Sequence, residues 1–302
     1  MEPVKALYPI TTLEGRVLFT PGETVSEENI NALSAARPPA SSKAWPLLDY
    51  GSFKKDLLFF INSPPYDFIF RGSDGMSEIL DLMEKIKLTE PILEVLDYFE
   101  QYDFFTYRHM LTVFALTILV SRELIPDYRH RVSEAAYGPT HDFGKICVPL
   151  EILRKEQPLT RNELQHLRHH ALAGYTLLRY YLDDPNSTAA RVARDHHERR
   201  DSSGYPRGIE LNDKVVEIVA VCDIYDALIS KRPYRSESYD NRAALEILTE
   251  MANKGQIGWQ VVKVLVASNR RSRPKYSDTV VSGEKRGVPP AENFYGIITE
   301  DN

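Results

Sequence analysis

Two short stretches hold the residue types that could do chemistry. The first is His-Asp-Phe-Gly-Lys at residues 141–145, and the second is His-His-Glu-Arg-Arg-Asp-Ser-Ser-Gly-Tyr-Pro at residues 196–206. Together they offer imidazole nitrogens and carboxylate oxygens but no thiolate. This mixture of ligands suits iron, manganese or zinc in a hydrolytic site better than it suits a structural zinc site. The two stretches therefore predict a catalytic metal centre.

Asp142 and Lys145 are the catalytic candidates of the first stretch. A carboxylate has two oxygens and can bridge two ions, as a binuclear centre requires. Lys145 follows His141 by four residues, so the two side chains share a face if a helix continues there. A lysine in that place can neutralise the charge that develops on a phosphate in the transition state. The Gly-Pro-Thr at residues 138–140 must interrupt a helix just before His141, which predicts some displacement of that side chain.

Composition narrows the class of protein. The chain has 302 residues and a net charge of −6, so it lacks the uniformly basic face of a duplex DNA binder, and no DNA partner is expected. Its two cysteines, Cys147 and Cys222, do not suggest a disulfide framework, which fits a reducing cytoplasm. The longest apolar runs, such as residues 113–120, are shorter than a membrane span. A cytoplasmic protein with no membrane span is expected.

The periodicity of apolar residues divides the chain into three parts. Residues 1–85 mix strand and helix signals and predict a small α+β domain with a regulatory role. Residues 86–269 keep a helical period almost throughout and predict an all-α bundle. Residues 270–302 form a polar C-terminal tail, whose last apolar piece, residues 294–298, is expected to dock as a short strand. The predicted fold class is mainly α: a helical bundle preceded by a small α+β domain.

Five motifs in one order make the chemistry more specific. They are His-Asp-x-Gly-Lys, His-His-Glu, Gly-Tyr-Pro, an aspartate at Asp223, and Arg-Pro-Tyr-Arg at residues 232–235. This series resembles the HD-GYP family of bacterial cyclic di-GMP phosphodiesterases, which belongs to the HD metallohydrolase superfamily. The resemblance runs from about residue 91 to residue 267. It implies a bundle of the HD type that holds two divalent ions, iron or manganese.

The resemblance also implies which side chains hold the ions. The first ligand set would be His109, His141, Asp142 and Asp223. With Asp142 bridging, the second ligand set would be Asp142, His170, His196 and His197. Phe105 stands where some members of the family have a glutamate for a third ion, so two ions are expected. Of the neighbouring histidines, His166 is expected to lie behind the ligands or to be exposed, and His169 is expected to be exposed.

The substrate implied by the resemblance is cyclic di-GMP, which carries two phosphodiesters and two guanines. Arg232 and Arg235 can form bidentate contacts with phosphate. Tyr205 can hydrogen-bond a phosphate or stack near a base, and Gly204 would permit the tight turn that presents it. A hydroxide bridging the ions would attack phosphorus, giving the linear dinucleotide pGpG, with further cleavage to GMP also open.

Two other functions stay open at this point. Ser202 replaces a glycine of the family pattern, which stiffens the loop and is expected to alter substrate entry. Together with the break before His141, this leaves room for a sensor that binds a cyclic dinucleotide with weak or no turnover. A phosphohydrolase for another nucleotide is the third reading. The N-terminal domain is the expected place for a homodimer contact or a signalling partner.

Overall fold

The computed structural model describes residues 2–37, 43–72, 75–135, 138–233, 235, 237–290 and 298–299. Helices dominate this part of the chain, and its strands are only two or three residues long. The predicted mainly α class is therefore confirmed. The N-terminal third contains β1 Val4–Lys5, β2 Ile10–Thr11, β3 Val17–Phe19, β4 Thr24–Val25, α1 Glu27–Ala35, β5 Ala44–Pro46, α2 Phe53–Ile61, α3 Asp67–Phe70 and α4 Gly75–Lys85.

The rest of the described chain is a bundle of helices. Its elements are β6 Lys87–Thr89, α5 Glu90–Tyr102, α6 Phe104–Leu124, α7 Tyr128–Ala135, α8 Leu150–Leu153, β7 Leu159–Thr160, α9 Arg161–Arg168, α10 His170–Leu182, α11 Thr188–Asp195, α12 Lys214–Ile229, α13 Asn241–Asn253, α14 Trp259–Ser268 and β8 Ile298–Thr299. Strands β1 and β4, β2 and β3, and β5 and β6 pair antiparallel, whereas β7 and β8 pair parallel.

Helix α6 is the central element. Asp103 caps it by accepting a hydrogen bond from the Thr106 amide, and nearly every residue from Thr106 to Ser121 is buried. By length and composition α6 could cross a membrane, but 83% of its most apolar window is buried inside the protein. Such a helix, apolar on all sides and covered by its neighbours, is the core helix of a globular fold.

The break before His141 takes the form of two 3-10 helices, Gly138–Thr140 and Phe143–Cys147, with His141 and Asp142 in the turn between them. The expected helical face shared by His141 and Lys145 is therefore wrong. The second 3-10 helix packs on α10, where Gly144 faces Gly174. Two glycines at this contact allow the backbones to approach closely, so α10 and the His-Asp turn are held at a defined distance.

One hydrophobic core joins the N-terminal elements to the bundle. It includes residues from Ala6 to Val266, α2 packs on α6, and β5 pairs with β6 across residue 85. The predicted boundary at 85/86 does not coincide with a gap in this core, and the division into 1–85, 86–269 and 270–302 stays a prediction. Ile298 and Thr299 pair with β7, whereas residues 294–297 of the predicted docking piece lie outside the described chain.

Candidate metal centre

The first ligand set converges inside the bundle. His109 comes from α6, Asp223 from α12, and His141 and Asp142 from the turn between the 3-10 helices. The Nε2 atom of His109 lies 3.0 Å from Asp223 Oδ1 and 3.4 Å from Asp142 Oδ2. The same atom lies 3.3 Å from His141 Nε2. Donor atoms this close to one another can surround a single cation, because metal–ligand bonds of about 2 Å place ligands roughly 3 Å apart.

The second ligand set meets on the other side of Asp142. His170 begins α10, and His196 and His197 follow the end of α11. The Nε2 atoms of His170 and His196 lie 3.5 Å and 3.9 Å from Asp142 Oδ1. His197 Nε2 lies 3.1 Å from His170 Nε2. One ligand atom from each of these four residues fits within a span of 4.8 Å.

Asp142 lies between the two ligand sets. Its Oδ2 atom is the one near His109 and His141, whereas Oδ1 is the one near His170 and His196. The residue is 2% exposed, so little solvent competes for these oxygens. This is the orientation that a bridging carboxylate requires. The break at residues 138–140 does not displace His141 from the cluster.

The ring orientations of four histidines are set by their Nδ1 atoms. His109 Nδ1 lies 2.6 Å from Asp226 Oδ2. The Nδ1 atoms of the other three lie close to backbone carbonyl oxygens: His141 at 2.6 Å from Gly138, His170 at 2.6 Å from Leu167, and His196 at 3.0 Å from Val192. A carbonyl or carboxylate accepts only from an N–H, so each Nδ1 carries the proton. Each Nε2 therefore presents its lone pair to the cluster, as a metal-binding imidazole does.

Charge and burial favour the metal-binding protonation states of some predicted ligands, whereas at His141 the neighbouring Asp142 outweighs burial and raises the imidazole pKa. Burial lowers the pKa of His170 to about 4, against the opposing effect of Asp142, and lowers the pKa of His196 to about 3. Burial raises the carboxyl pKa values, but Lys145 and His141 outweigh it at Asp142, and His109 outweighs it at Asp223. Both carboxyl pKa values end well below their ordinary range. Neutral imidazoles and ionised carboxylates are the forms that coordinate cations.

The residues fit bound divalent metal. Among the described residues, the buried Nε2 of His196 has no hydrogen-bond partner. A buried acceptor left in that state costs free energy, and a bound cation would satisfy it. The donors are nitrogen and oxygen, the carboxylates supply negative charge, and Asp142 offers one oxygen to each side. The fit rests on this donor chemistry and on the unpaired nitrogen.

Lys145 lies beside the metal centre, although it does not share an α-helical face with His141. It is on the 3-10 helix, and its Nζ contacts Asp142 Oδ2 at 2.5 Å. Its side chain also lines the pocket that opens on the cluster. The ammonium group of Lys145 therefore lies between Asp142, the predicted bridging ligand, and the pocket that a substrate would occupy.

The Gly-Tyr-Pro segment contacts a predicted metal ligand, His197. The ring of Tyr205 stacks on His197, with 4.5 Å between centroids and 20° between planes, and the guanidinium of Arg168 lies 5.0 Å from the Tyr205 ring. A Cβ atom at Gly204 would come within 2.5 Å of Glu198 Cα and 2.7 Å of the Arg199 nitrogen. The backbone at Gly204 therefore lies so close to residues 197–199 that only glycine fits there. This close approach, and not the expected tight turn, explains the glycine. Tyr205 presses on the His197 ring and lines the pocket.

Sequence reasoning missed the roles of two carboxylates. Glu198 is fully buried and accepts hydrogen bonds from the amides of Arg207 at 2.7 Å and Ile209 at 3.1 Å, so it holds the loop after the Gly-Tyr-Pro turn. Asp226 bonds the Nδ1 atom of His109 and is also fully buried. Its spacing of three residues from Asp223 on α12 was the available signal, since such residues share a helical face.

The two arginines predicted to bind phosphate differ in their surroundings. The Nη2 of Arg235 donates to the carbonyls of Ala227, Leu228 and Ser230 at 2.7 to 2.8 Å, and so caps the end of α12. Arg232 Nη2 lies 3.6 Å from Asp226 Oδ2. Both residues line the pocket, and their contacts with phosphate stay a prediction.

The remaining histidines of this region lie apart from the ligand sets. His166 stacks on Tyr8 with 3.8 Å between ring centroids, and its Nε2 lies 3.2 Å from the Cys147 carbonyl. Tyr8 also meets His169 edge to face at 5.7 Å. Neither histidine belongs to a group of potential ligands in the described chain. His169 is buried, so the expectation that it is exposed is wrong.

Replacing Ser202 by glycine is expected to stabilise the protein. Ser202 has φ of 62°, the left-handed region that costs a side-chain-bearing residue about 1 kcal/mol or more. Glycine removes that strain but adds backbone entropy to the unfolded chain, so Ser202→Gly should raise the free energy of unfolding by about 0.5 kcal/mol. Urea denaturation measures this. Ser203→Gly is the control: it removes the Ser203 Oγ to Asp201 bond of 2.6 Å and should lower stability, and a loss from Ser202→Gly would contradict the argument.

Comparison with known proteins identifies the family. The model of the HD domain family matches residues 111–261, half of the chain. The described chain is a helical bundle with a buried cluster of histidines and aspartates, and the chain belongs to the HD domain family. Within it, the His-Asp and Gly-Tyr-Pro motifs resemble those of HD-GYP proteins.

Several curated relatives and one solved structure are similar to the chain. A cyclic di-GMP phosphodiesterase of Thermotoga maritima is 34% identical over 64% of this chain and 50% of its own length. A cyclic di-GMP phosphodiesterase response regulator of Xanthomonas campestris is 39% identical over 46% of this chain and 36% of its own. A 3'3'-cGAMP-specific phosphodiesterase of Vibrio cholerae is 31% identical over 55% and 38%. The chain thus spans half or less of these relatives.

A solved HDG"Y"P protein from Bdellovibrio bacteriovorus aligns with a TM-score of 0.47 and 14% identity, covering 87% of this chain and 94% of that one.

Proposed function

We propose that the chain is a metal-dependent phosphodiesterase that hydrolyses cyclic di-GMP to linear pGpG, with GMP as a further product. The observation that supports this most strongly is the position of Asp142, with one oxygen toward each ligand set. Two divalent ions held there would supply a nucleophile at neutral pH and polarise the phosphoryl oxygens. Iron or manganese suits the nitrogen and oxygen donors. A cytoplasmic location belongs to the same proposal.

The pocket next to the cluster suits a cyclic dinucleotide. Lysine and arginine side chains line it beside the ligands, namely Lys145, Lys155, Arg199, Arg232 and Arg235. Apolar side chains also line it, namely Phe105, Ile152, Leu153, Leu159, Leu164, Leu167, Ile224 and Leu228. Cations compensate phosphodiester charge, and apolar walls accept the faces of flat bases. Both features are needed by a ligand with two phosphates and two purines.

Two side chains have distinct tasks in this proposal. Lys145, between Asp142 and the pocket, would stabilise the charge that develops on the phosphoryl oxygens. Tyr205 would hold the ring of His197 by stacking and would form part of the pocket wall. The N-terminal elements remain the predicted place for a homodimer contact or a signalling partner.

The direct test is turnover by the purified chain. Protein loaded with iron or manganese under reducing conditions should convert cyclic di-GMP to pGpG, followed by chromatography and mass spectrometry. Tight binding of cyclic di-GMP without product, with two ions measured per chain, would favour the sensor. Absence of both binding and product would sink the proposal.

A second substrate is favoured by one specific comparison. The relative named as 3'3'-cGAMP-specific is 31% identical to this chain, close to the 34% of the Thermotoga maritima enzyme. Parallel assays with cyclic di-GMP, 3'3'-cGAMP and linear mononucleotide esters would rank kcat/KM among them. A preference for cGAMP would keep the reaction and change the substrate.

Removing the charge of Lys145 should reduce turnover strongly and should leave metal binding nearly unchanged. Lys145→Gln is expected to lower kcat by about a hundredfold, the usual effect of losing one group that stabilises transition-state charge. The protein should still bind two ions, because the variant keeps every predicted ligand. Lys254→Gln, at a lysine on the surface, is the matched control and should leave kcat unchanged. An unchanged kcat in Lys145→Gln would contradict the assigned role.

A further inference from the structure

Asp226 is the centre of a buried hydrogen-bond network beside the first ligand set. It is fully buried, and its Oδ2 accepts a hydrogen bond of 2.6 Å from His109 Nδ1. Its Oδ1 accepts one of 2.6 Å from the Thr112 hydroxyl and another from the hydroxyl of Tyr66. Ser230 Oγ lies 3.3 Å from Oδ2. Both carboxylate oxygens are therefore occupied, and the position of the carboxylate is defined from several sides.

Tyr66 enters this network from outside the HD domain match, which begins at residue 111. It lies just before α3 and is 3% exposed. The short segment that carries it is anchored at two points. The Asn241 amide of α13 donates to the Pro65 carbonyl at 3.0 Å, and the Arg273 guanidinium donates to the Phe68 carbonyl at 2.8 Å.

The consequence for a metal site follows from how histidine ligands are oriented. An imidazole that binds through Nε2 has its ring plane set by the partner of Nδ1, and disturbing such a partner typically weakens metal binding by about 10- to 100-fold. Asp226 is that partner for His109. Whatever fixes Asp226 therefore fixes the direction of the His109 lone pair.

We propose that Tyr66 is a positioning residue for the first ligand set, acting on His109 through the carboxylate of Asp226. The inference rests on the metal centre of the proposed function and deepens it, because a segment of the N-terminal third completes that centre. The chain of contacts runs from α3 through Tyr66 and Asp226 to His109. A displacement of α3 would then reach the first ligand set without any change among the ligands themselves.

The competing explanation is that the Tyr66 hydroxyl merely satisfies a buried carboxylate. Removing the hydroxyl would then lower the free energy of unfolding but would leave the affinity for metal unchanged. Tyr50 supplies the matched comparison, because its hydroxyl donates to Asp97 Oδ2 at 2.8 Å and neither residue belongs to the ligand sets. Tyr66→Phe and Tyr50→Phe make the same chemical change at two tyrosine–aspartate pairs.

The experiment is a titration of the metal-free full chain with Co²⁺, followed by calorimetry and by visible absorption. The wild type is expected to bind two ions. Tyr66→Phe should weaken one of them by about three- to tenfold, the effect of one net hydrogen bond, and should change the Co²⁺ spectrum of that site alone. Tyr50→Phe should alter neither affinity nor spectrum. Asp226→Asn, a second variant in case Tyr66→Phe does not fold, should weaken the same ion by at least about tenfold.

The site affected is assigned with His109→Ala, which should retain the second ion only. In that background Tyr66→Phe should have no further effect on the remaining ion. Unchanged affinity for both ions in Tyr66→Phe, or equal weakening in the His109→Ala background, would overturn the inference while leaving the wild-type centre intact. A wild type that binds no metal would overturn the proposed function as well, so the two failures are distinguishable without a substrate.

Discussion

Asp142→Asn is expected to abolish the activity and to reduce the metal content below two ions per chain. The substitution keeps the shape of the side chain but removes its charge, and it replaces one of the two oxygens by an amide nitrogen that cannot accept a metal. Because Oδ1 and Oδ2 face different ligand sets, both sets lose a contact or its charge. Turnover should fall by about a thousandfold or more, since the charge compensation that a binuclear site provides is lost.

The measurement pairs kcat with metal content determined by plasma mass spectrometry. Asp97→Asn is the matched control, because Asp97 is a half-buried carboxylate that accepts from Tyr50 and lies outside both ligand sets. It should keep two ions and wild-type turnover. Full metal content together with normal turnover in Asp142→Asn would show that this carboxylate does not bridge.

Gly144→Ala should have the largest effect on stability. A Cβ atom there would overlap the His170 carbonyl oxygen and the Gly174 amide nitrogen, and would lie 2.9 Å from Gly174 Cα. These are backbone atoms at the start of α10, whose residues from His170 to Tyr181 are buried, so they have little room to move. Overpacking of this kind costs about 3 kcal/mol or more of the free energy of unfolding. It should also separate His170 from Asp142.

Urea denaturation of the metal-free protein gives the stability effect, and Co²⁺ titration gives the effect on the second ligand set. Gly283→Ala is the control, because nothing lies within 4 Å of its added Cβ and its backbone is not in the left-handed region. That variant should unfold like the wild type. A Gly144→Ala protein with wild-type stability and two tightly bound ions would mean that the 3-10 helix can move away from α10.

The ligand types were predictable because they reside in short motifs. His141, Asp142, His196 and His197 are adjacent pairs, and adjacency brings two donors to one turn of chain whatever the rest of the fold does. His109 and His170 have weaker local signals and were assigned only through the resemblance to HD-GYP proteins. The structure brings all of them to one cluster.

The roles of several neighbours were predicted less well, since they depend on backbone positions. Gly204 suggested a tight turn, but its contacts with residues 197–199 show a close approach between two chain segments. The four-residue spacing of His141 and Lys145 predicted a shared face if an α-helix continued there, but the chain forms 3-10 helices. For Arg235, the contact with phosphate stays a prediction, and its motif gave no sign that its Nη2 bonds three carbonyls at the end of α12.

By itself, the sequence determined the mainly α character of the chain, and it predicted the kind of chemistry and most of the candidate ligands, because residue types and periodicity are local properties. Only the tertiary structure decided that the two oxygens of Asp142 face opposite ligand sets and that Tyr66 reaches His109 through Asp226. Those relations join residues up to 160 positions apart along the chain. Side chains so distant in sequence are brought together by the packing of the core, which no motif records.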